Sequence, residues 1–342
     1  MSRLEFKRLE LINGAEVSGS VSSGEFLVIL GRNGTGKSLL LKTLMGLLPA
    51  KSGTILLDGM PLAEANARRR KAGHDGTGRN WGTGGLFAYV PQSFKIGFPL
   101  TVQETVALGR ARGLFGLPGT SDGKPDGKQG IRNDVDAILG KLGIRHLRDS
   151  GTDKISGGEL ALVSLARALM QGGGFLVLDE PEANLDVSKK AEFYRLIRNL
   201  LIVRKIDTVD NSAWEPQGEH NCEQLCEYHD DKLQNSVNTP EKSVNNSVNK
   251  TAEKTASRVF NNEAGDLPGI LFVTHDPLFA LNLKGCSGHI GAFLKNGEFR
   301  EYSAEDLNSE VLEDIYATPA EIRESPSGIR YPVFSDLLGS LL

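Results

Sequence analysis

Several features that decide the class of a protein are scarce in this sequence. Three cysteines in 342 residues cannot form a disulfide framework, which predicts a reducing compartment such as the cytosol. No apolar run approaches the ~18 residues that a membrane-spanning helix needs, so we expect a soluble or peripheral chain. Arg3, Glu5 and Lys7 place charges where a signal peptide would need its apolar stretch. A net charge of −4 gives no reason to expect a nucleic-acid partner.

The most informative stretch is residues 31–38, whose sequence GRNGTGKS fits the pattern G-x-x-x-x-G-K-[ST]. An apolar run of strand length, residues 26–30, precedes it, and a run of helical composition, residues 39–45, follows it. The glycines let successive backbone N–H groups point at phosphate oxygens, and the following helix adds its positive N-terminal end. Lys37 would reach the outer phosphates of a nucleotide, and the Ser38 hydroxyl would ligate Mg²⁺. A glycine-rich surface turn is the alternative, but it explains neither the lysine nor the flanking runs.

Two further apolar runs end in residues that suit phosphate chemistry. Residues 175–178 predict a parallel strand buried on both faces, and Asp179 and Glu180 follow at its carboxyl end, where open α/β sheets bind ligands. Asp179 would hold Mg²⁺, and Glu180 would polarise a water that attacks the γ-phosphate. A strand at residues 269–274 ends in His275, whose imidazole would hydrogen-bond the transferring group. An ordinary turn for the acids and a structural role for the histidine are the alternatives.

The rest of the chain shows weaker patterns. Residues 64–86 are rich in glycine and in basic residues and predict a solvated loop, and the glycine-rich residues 113–130 predict another. Residues 207–266 have only eight Leu, Ile, Val or Phe among sixty, with twelve acidic against five basic residues, so we expect a mostly disordered insertion. Further strands are predicted at residues 4–11, 53–59 and 86–90, and helices at 101–112, 133–142, 157–170 and 193–203.

A third motif, residues 155–159 with the sequence ISGGE, precedes the apolar helix and the Asp179–Glu180 pair. With these motifs the chain resembles the ATPase subunit of ATP-binding-cassette (ABC) transporters, over most of residues 1–320 outside the insertions. The resemblance implies an α/β P-loop NTPase fold with a RecA-like core sheet, an antiparallel β subdomain and a helical signature subdomain. It implies a cassette over residues 1–300, with the helical subdomain at about 93–170 and the insertion at about 207–266, and a C-terminal tail at 301–342.

The resemblance also implies a role for each site residue, with ATP and Mg²⁺ as the cofactors. Gln92 matches the Q-loop glutamine, residues 184–186 match the D-loop, and Gln92, Glu180 and His275 would be catalytic. Ser38, Gln92 and Asp179 would hold Mg²⁺. The nucleotide-binding residues would be Gly31, Arg32, Asn33, Gly34, Thr35, Gly36, Lys37, Ser38 and Asp179, with Ser156, Gly157, Gly158 and Glu159 of the signature.

The chain departs from the family pattern in a few places. The signature starts with Ile155 and ends with Glu159 where the consensus LSGGQ has Leu and Gln, but it keeps both glycines, so we expect it to function. Leu39 stands where the family usually offers a second hydroxyl. Residues 9–19 contain no aromatic side chain to stack on adenine, and Phe6 lies early for that role.

The partners are likewise implied by the resemblance. One subunit's signature completes the other's nucleotide site, so a second copy of the chain or a paralogous ATPase is expected, together with a permease and, indirectly, a substrate-binding protein. Residues 98–110 are similar to importers of iron-siderophores, haem, cobalamin and zinc or manganese, which would place the chain on the cytoplasmic face of the inner membrane. The alternative is an ABC ATPase without a transporter, of the Fe–S-assembly, repair or translation type.

One cluster inside the insertion has the composition of a metal site. His220, Cys222, Cys226 and His229 lie within ten residues, and the two cysteines have the spacing of structural zinc ligands. A metal would supply ordering energy that apolar burial cannot supply in this segment. Solvated side chains without a role are the alternative, because these histidines are not spaced as in known zinc fingers.

Overall fold

The computed structural model describes residues 2–72, 86–94, 97, 99–110, 126–183, 185–206, 267–283, 286–326 and 328–335. The strands are β1 (Arg3–Glu10), β2 (Glu16–Ser22), β3 (Phe26–Leu30), β4 (Ser52–Leu57), β5 (Met60–Pro61), β6 (Phe87–Val90), β7 (Phe175–Asp179), β8 (Gly269–Val273), β9 (Gly288–Phe293), β10 (Phe299–Tyr302), β11 (Ala320–Glu324) and β12 (Arg330–Phe334). The α-helices are α1 (Lys37–Leu44), α2 (Leu62–Ala72), α3 (Val102–Ala107), α4 (Asp126–Lys141), α5 (Gly157–Gln171), α6 (Val187–Ile206), α7 (Leu278–Leu281) and α8 (Ser309–Tyr316).

The core of the protein is a sheet whose strand order, within the described residues, is β10-β9-β3-β8-β7-β6. Strands β9, β3, β8, β7 and β6 run parallel, and β10 pairs antiparallel with β9. In β3, Phe26, Val28 and Leu30 face one hydrophobic cluster. Leu27 and Ile29 face a second cluster on the opposite side of the sheet. The continuous apolar runs are therefore parallel strands buried on both faces, and the predicted α/β class is confirmed.

A separate antiparallel sheet covers the second cluster and has the order β2-β1-β4-β5 in the described chain. β2 has no counterpart among the predicted strands, because the glycine in its interior weakens the strand pattern. Gly19 in this strand lies under the ring of Phe6, and a Cβ at that position would come within 2.7 Å of the ring. The packing of Phe6, which is completely buried, therefore explains why a glycine lies in the middle of β2.

The helical part of the fold lies between β6 and β7 in the sequence and contains α3, α4 and α5. Val106, Ile138 and Val163, one from each helix, belong to the first hydrophobic cluster and attach these helices to the core sheet. The predicted bounds of a helical subdomain, about 93–170, stay a prediction, but α4 begins at Asp126, so the predicted loop is wrong for residues 126–130. Residues 111–125 lie outside the described residues.

The predicted loop at residues 64–86 is wrong where it overlaps α2. This helix is basic, but it consists largely of strong helix formers, and the carboxylate of Glu64 accepts a hydrogen bond from Arg68 one turn later at 2.7 Å. Leu62 and Ala65 on its other face are buried in the second cluster. A run of basic residues can thus lie within a packed helix. Residues 73–85 lie outside the described residues.

The chain after residue 300 continues the same packed structure. β10 crosses the predicted boundary at residue 300, and Leu307, Leu312, Ile315 and Ala320 belong to the first cluster with the core sheet. β11 and β12 form an antiparallel hairpin whose Phe334 ring lies 5.4 Å from that of Tyr316. The division into a cassette and a tail stays a prediction.

No helix in the described part of the chain has both the length and the apolar composition that a membrane crossing requires.

Candidate functional site

The loop at residues 31–38 joins the carboxyl end of β3 to the start of α1. Gly36 has φ 108°, and a Cβ there would come within 2.7 Å of the Asn13 amide nitrogen, so only glycine fits this turn. The side chain of Lys37 is 4% exposed, and its Nζ donates hydrogen bonds to the main-chain oxygens of Gly31 at 2.9 Å and Arg32 at 3.0 Å. The ammonium group therefore lies inside the curl of the loop. Of the other predicted loop residues, Arg32, Asn33 and Gly34 are exposed, and Thr35 is partly buried.

Oxygen ligands meet beside this loop. The Ser38 hydroxyl donates to Asp179 Oδ1 at 2.8 Å, and Asp179, at the end of β7, is 3% exposed. The Tyr89 hydroxyl donates to the other carboxylate oxygen of Asp179 at 3.1 Å. Partial burial and the charge of Asp179 raise the pKa of Tyr89, so the phenol keeps its proton and remains a donor. Ser38 and Asp179 offer the oxygen atoms that Mg²⁺ prefers.

Glu180 lies at the centre of the site. Its Oε1 is 3.2 Å from Lys37 Nζ, and its Oε2 accepts a hydrogen bond from Gln92 Nε2 at 3.1 Å and lies 3.4 Å from His275 Nδ1. The neighbouring imidazole of His275 and the charge of Lys37 hold the pKa of Glu180 below its usual value, although partial burial opposes them. The same pair raises the pKa of His275. Glu180 is therefore ionised at neutral pH, as a proton acceptor must be.

The backbone at Glu180 is also unusual. Its φ is 46°, in the left-handed region that side chains rarely adopt, and its N–H donates to the Val273 carbonyl at 3.0 Å. This hydrogen bond ties the turn after β7 to the end of β8, two residues before His275. Strands β7 and β8 hold this strained backbone conformation in place. Such strain persists at functional sites where the surrounding structure fixes the backbone.

The signature residues form the N-terminus of α5. Ser156 and Glu159 make a capping box: the Ser156 N–H and hydroxyl donate to Glu159 Oε2 at 2.7 and 2.8 Å, and the Glu159 N–H donates to Ser156 Oγ at 3.3 Å. The N–H of Ser156 is the main cause of the lowered pKa of Glu159. Gly158 packs against Lys189, since a Cβ there would come within 2.8 Å of Lys189 Cδ. Gly157 is the first residue of α5.

The structure thus brings together most of the predicted residues but separates one group. Lys37, Gln92 and His275 form a network around Glu180, and the hydrogen-bonded pair of Ser38 and Asp179 lies beside it, one residue along the chain from Lys37 and Glu180. Among the described residues, no hydrogen bond or ion pair joins residues 156–159 to residues 31–38. Asn184, His220, Cys222, Cys226 and His229 lie outside the described residues. Phe6 is completely buried and therefore offers no ring face for adenine.

Sequence reasoning missed Tyr89, which belongs to the site through Asp179. The signal lies in the strand register: Tyr89 pairs with Val177 in parallel strands, and Asp179, two residues later, points to the same side of the sheet. This register is not evident from the sequence, so only the strand β6 itself was predictable.

For the ATP hydrolysis that the resemblance implies, a Tyr89→Phe variant is expected to need about 10–100-fold more Mg²⁺ at half-maximal rate, the usual cost of losing a partner of a metal ligand. The change removes one hydroxyl and keeps the ring. Magnesium titrations of hydrolysis measure the effect, and Tyr302→Phe on β10 is the matched control. An unchanged magnesium requirement would show that the Tyr89 hydroxyl does not support Asp179.

The chain is similar to known proteins in sequence and in fold. The profile of a family described as ABC transporter matches residues 15–183, about half of the chain. A hemin import ATP-binding protein of Nocardia farcinica is 35% identical over 185 residues, which cover 53% of this chain and 55% of that protein. A zinc uptake system ATP-binding protein of Listeria monocytogenes is 30% identical over 182 residues, covering 53% of this chain and 62% of that protein. The chain therefore spans little more than half the length of these curated relatives.

Solved structures agree on the fold. A structure assigned to the metal-chelate type of ABC transporter, in an inward-facing conformation, matches with a TM-score of 0.61 at 18% identity and covers 100% of both chains. The cbiO1 protein of Clostridium perfringens, part of an ABC transporter complex, matches with a TM-score of 0.52 at 21% identity and covers 91% of this chain and 90% of that one. At these identities the likeness shows the fold alone. Together with the family match and the curated relatives, it leads to one conclusion: residues 15–183 of the chain belong to the ABC transporter family.

Proposed function

We propose that this chain is the ATP-hydrolysing subunit of an ABC importer, peripheral on the cytoplasmic face of the membrane. The observation that carries the proposal is the network at the carboxyl ends of β3, β6, β7 and β8. A phosphate-loop lysine and a histidine lie against an ionised glutamate there, and a hydroxyl–carboxylate pair lies beside them. These are the groups that phosphoryl transfer to water needs, because its catalysis is mainly positioning and charge stabilisation.

Each residue of the site would have its own role in the reaction. Lys37 would give up its contact with Glu180 and bind phosphate oxygens, and the N–H groups at the start of α1 would bind others, since Gly36 provides no side-chain cap. Ser38 and Asp179, 2.8 Å apart, would hold Mg²⁺, which when bound neutralises phosphate charge. Glu180 would then accept a proton from the attacking water, and His275 would hydrogen-bond the transferring phosphoryl group.

The signature supports a head-to-tail dimer. The capping box satisfies the N–H groups of Ser156 and Glu159, and among the described residues no hydrogen bond or ion pair joins residues 156–159 to their own phosphate loop. In a two-fold symmetric pair, the same residues would face the nucleotide of the other subunit. Closure would then depend on ATP, and hydrolysis would release it. The second subunit is a copy of this chain or a paralogue.

The transported substrate is proposed by class only. The curated relatives are named for hemin, cobalamin and zinc import, which supports the predicted group of iron-siderophore, haem, cobalamin or metal-ion importers. The ligand itself would be held by a permease and a binding protein. Relatives named for molybdate or tungstate and for phosphonates show that the fold alone does not fix the substrate.

The proposed role in transport is tested by identifying the proteins that bind this chain. Affinity purification of the tagged full-length chain from its own cells is expected to recover a multi-span membrane protein in stoichiometric amount. The reconstituted complex is expected to hydrolyse ATP faster than the isolated chain. Purification with only soluble partners, together with hydrolysis that no membrane protein stimulates, would favour the ABC ATPase without a transporter.

A further inference from the structure

A second buried carboxylate lies behind the site, two residues after Glu180. Glu182 is 0% exposed, and its Oε1 accepts a hydrogen bond from the Thr274 hydroxyl. Its Oε2 is buried without a hydrogen-bond partner among the described residues. A buried acid with one oxygen unsatisfied costs folding free energy, and an apolar residue of similar shape would not incur that cost. Stability alone therefore does not account for a glutamate at this position.

The partner of Glu182 fixes the backbone that carries His275. The Thr274 hydroxyl oxygen accepts a hydrogen bond from the Asp276 N–H at 2.9 Å, closing a turn around the histidine. The Thr274 N–H donates to the Ile29 carbonyl at 3.1 Å, which ties this turn to the strand before the phosphate loop. The orientation of the Thr274 hydroxyl thus decides how firmly the turn at His275 is held.

Glu182 also belongs to the turn that carries Glu180. The Ala183 N–H donates to the Glu180 carbonyl at 3.1 Å, and the Leu185 N–H donates to the Glu182 carbonyl at 3.0 Å. The side chain of Glu182 therefore bridges two turns, one at the end of β7 and one at the end of β8. The distance of 3.4 Å between His275 Nδ1 and Glu180 Oε2 is set by how these turns lie relative to each other.

We propose that Glu182 is a positioning residue, which through the Thr274 hydroxyl holds the imidazole of His275 against Glu180. The proposal rests on the proposed ATPase function, since the paired Glu180 and His275 are its catalytic groups. Burial raises the pKa of Glu182 to about 7. The bridge persists in both protonation states, because an ionised carboxylate accepts from the threonine and a protonated carboxyl donates to it.

Two substitutions at this position separate the bridge from the charge. Glu182→Gln and Glu182→Leu both remove the charge, but only the glutamine keeps an oxygen that accepts from Thr274. The leucine variant is expected to lose up to about 100-fold in kcat, the scale of a misplaced catalytic group, while its affinity for ATP stays near that of the parent. Its melting temperature is expected to equal or exceed that of the parent. The glutamine variant is expected to keep most of the parent rate.

The contact between His275 and Glu180 can be tested by a measurement that needs no ATP. The imidazole NMR resonances of His275, assigned with a His275→Ala variant, are expected to move in Glu182→Leu and to stay near the parent positions in Glu182→Gln. Thr274→Val is expected to lower kcat as Glu182→Leu does, and the double variant is expected to lose no more than either single one, because both remove the same bridge.

Two outcomes would overturn the proposal. One is a Glu182→Leu variant with the His275 resonances and kcat of the parent. The other is an equal loss of rate in Glu182→Gln and Glu182→Leu together with a lower melting temperature than the parent in both, which would indicate a purely structural residue. A parent chain without ATPase activity would instead refute the proposed function, and the NMR comparison would still decide whether Glu182 positions His275.

Discussion

A Glu180→Gln variant is expected to bind ATP at least as tightly as the parent and to hydrolyse it about 10²–10⁴-fold more slowly, the range for losing a general base. The amide keeps the size of the side chain, but it cannot take a proton from an attacking water. Affinity is retained because an uncharged residue no longer competes with phosphate for Lys37, whose Nζ is 3.2 Å from the Glu180 carboxylate. Steady-state hydrolysis with the permease gives the rate, and calorimetric titration gives the affinity.

Glu16→Gln is the matched control for this change, because Glu16 is an exposed glutamate on β2, away from the network around Glu180. It is expected to leave both rate and affinity unchanged. Hydrolysis by Glu180→Gln at near the parent rate, with the permease present, would show that the catalytic base has been assigned to the wrong residue.

A Lys37→Ala variant is expected to lose nucleotide binding itself, with an affinity for MgATP that is lower by about tenfold to a hundredfold. The change removes hydrogen bonds between an ammonium and phosphate, which are worth about 1.5–3 kcal/mol. Lys37→Arg is expected to lower the MgATP affinity as well. A planar guanidinium does not fit where the nearly buried ammonium donates hydrogen bonds to the main-chain oxygens of Gly31 and Arg32.

Lys42→Ala on the same helix provides the control for Lys37→Ala, since Lys42 is exposed and lies beyond the loop. Calorimetric titration with a non-hydrolysed ATP analogue measures the affinity of each of the two variants. A Lys37→Ala variant that binds the analogue as tightly as Lys42→Ala does would exclude Lys37 from the phosphate site.

Much of the site was predictable because it lies where apolar runs end. Parallel strands bring their carboxyl ends to one edge of a sheet, so residues that follow three separate runs, Lys37, Glu180 and His275, were expected to meet there. The S-x-x-E spacing of Ser156 and Glu159 could also have predicted the capping box that begins α5. These features depend on local sequence and on one general property of the fold.

The contacts that were missed depend on pairing between distant parts of the chain. The Tyr89–Asp179 hydrogen bond joins residues 90 positions apart, and the Glu182–Thr274 bond joins residues 92 apart. Both require the strand register, which composition and periodicity do not specify. The error at α2 has a different origin, since a basic run has the same composition whether it covers a packed helix or forms a loop.

We propose that ATP, bound through Lys37 and not hydrolysed when Glu180 is replaced by glutamine, closes two copies of this chain around the nucleotide. The most direct measurement is the mass of Glu180→Gln in solution, by light scattering, with and without saturating ATP. We predict twice the monomer mass with ATP, the monomer mass without it, and the monomer mass in the Lys37→Ala/Glu180→Gln double variant at both conditions. A Glu180→Gln variant that binds ATP and remains monomeric would contradict the claim.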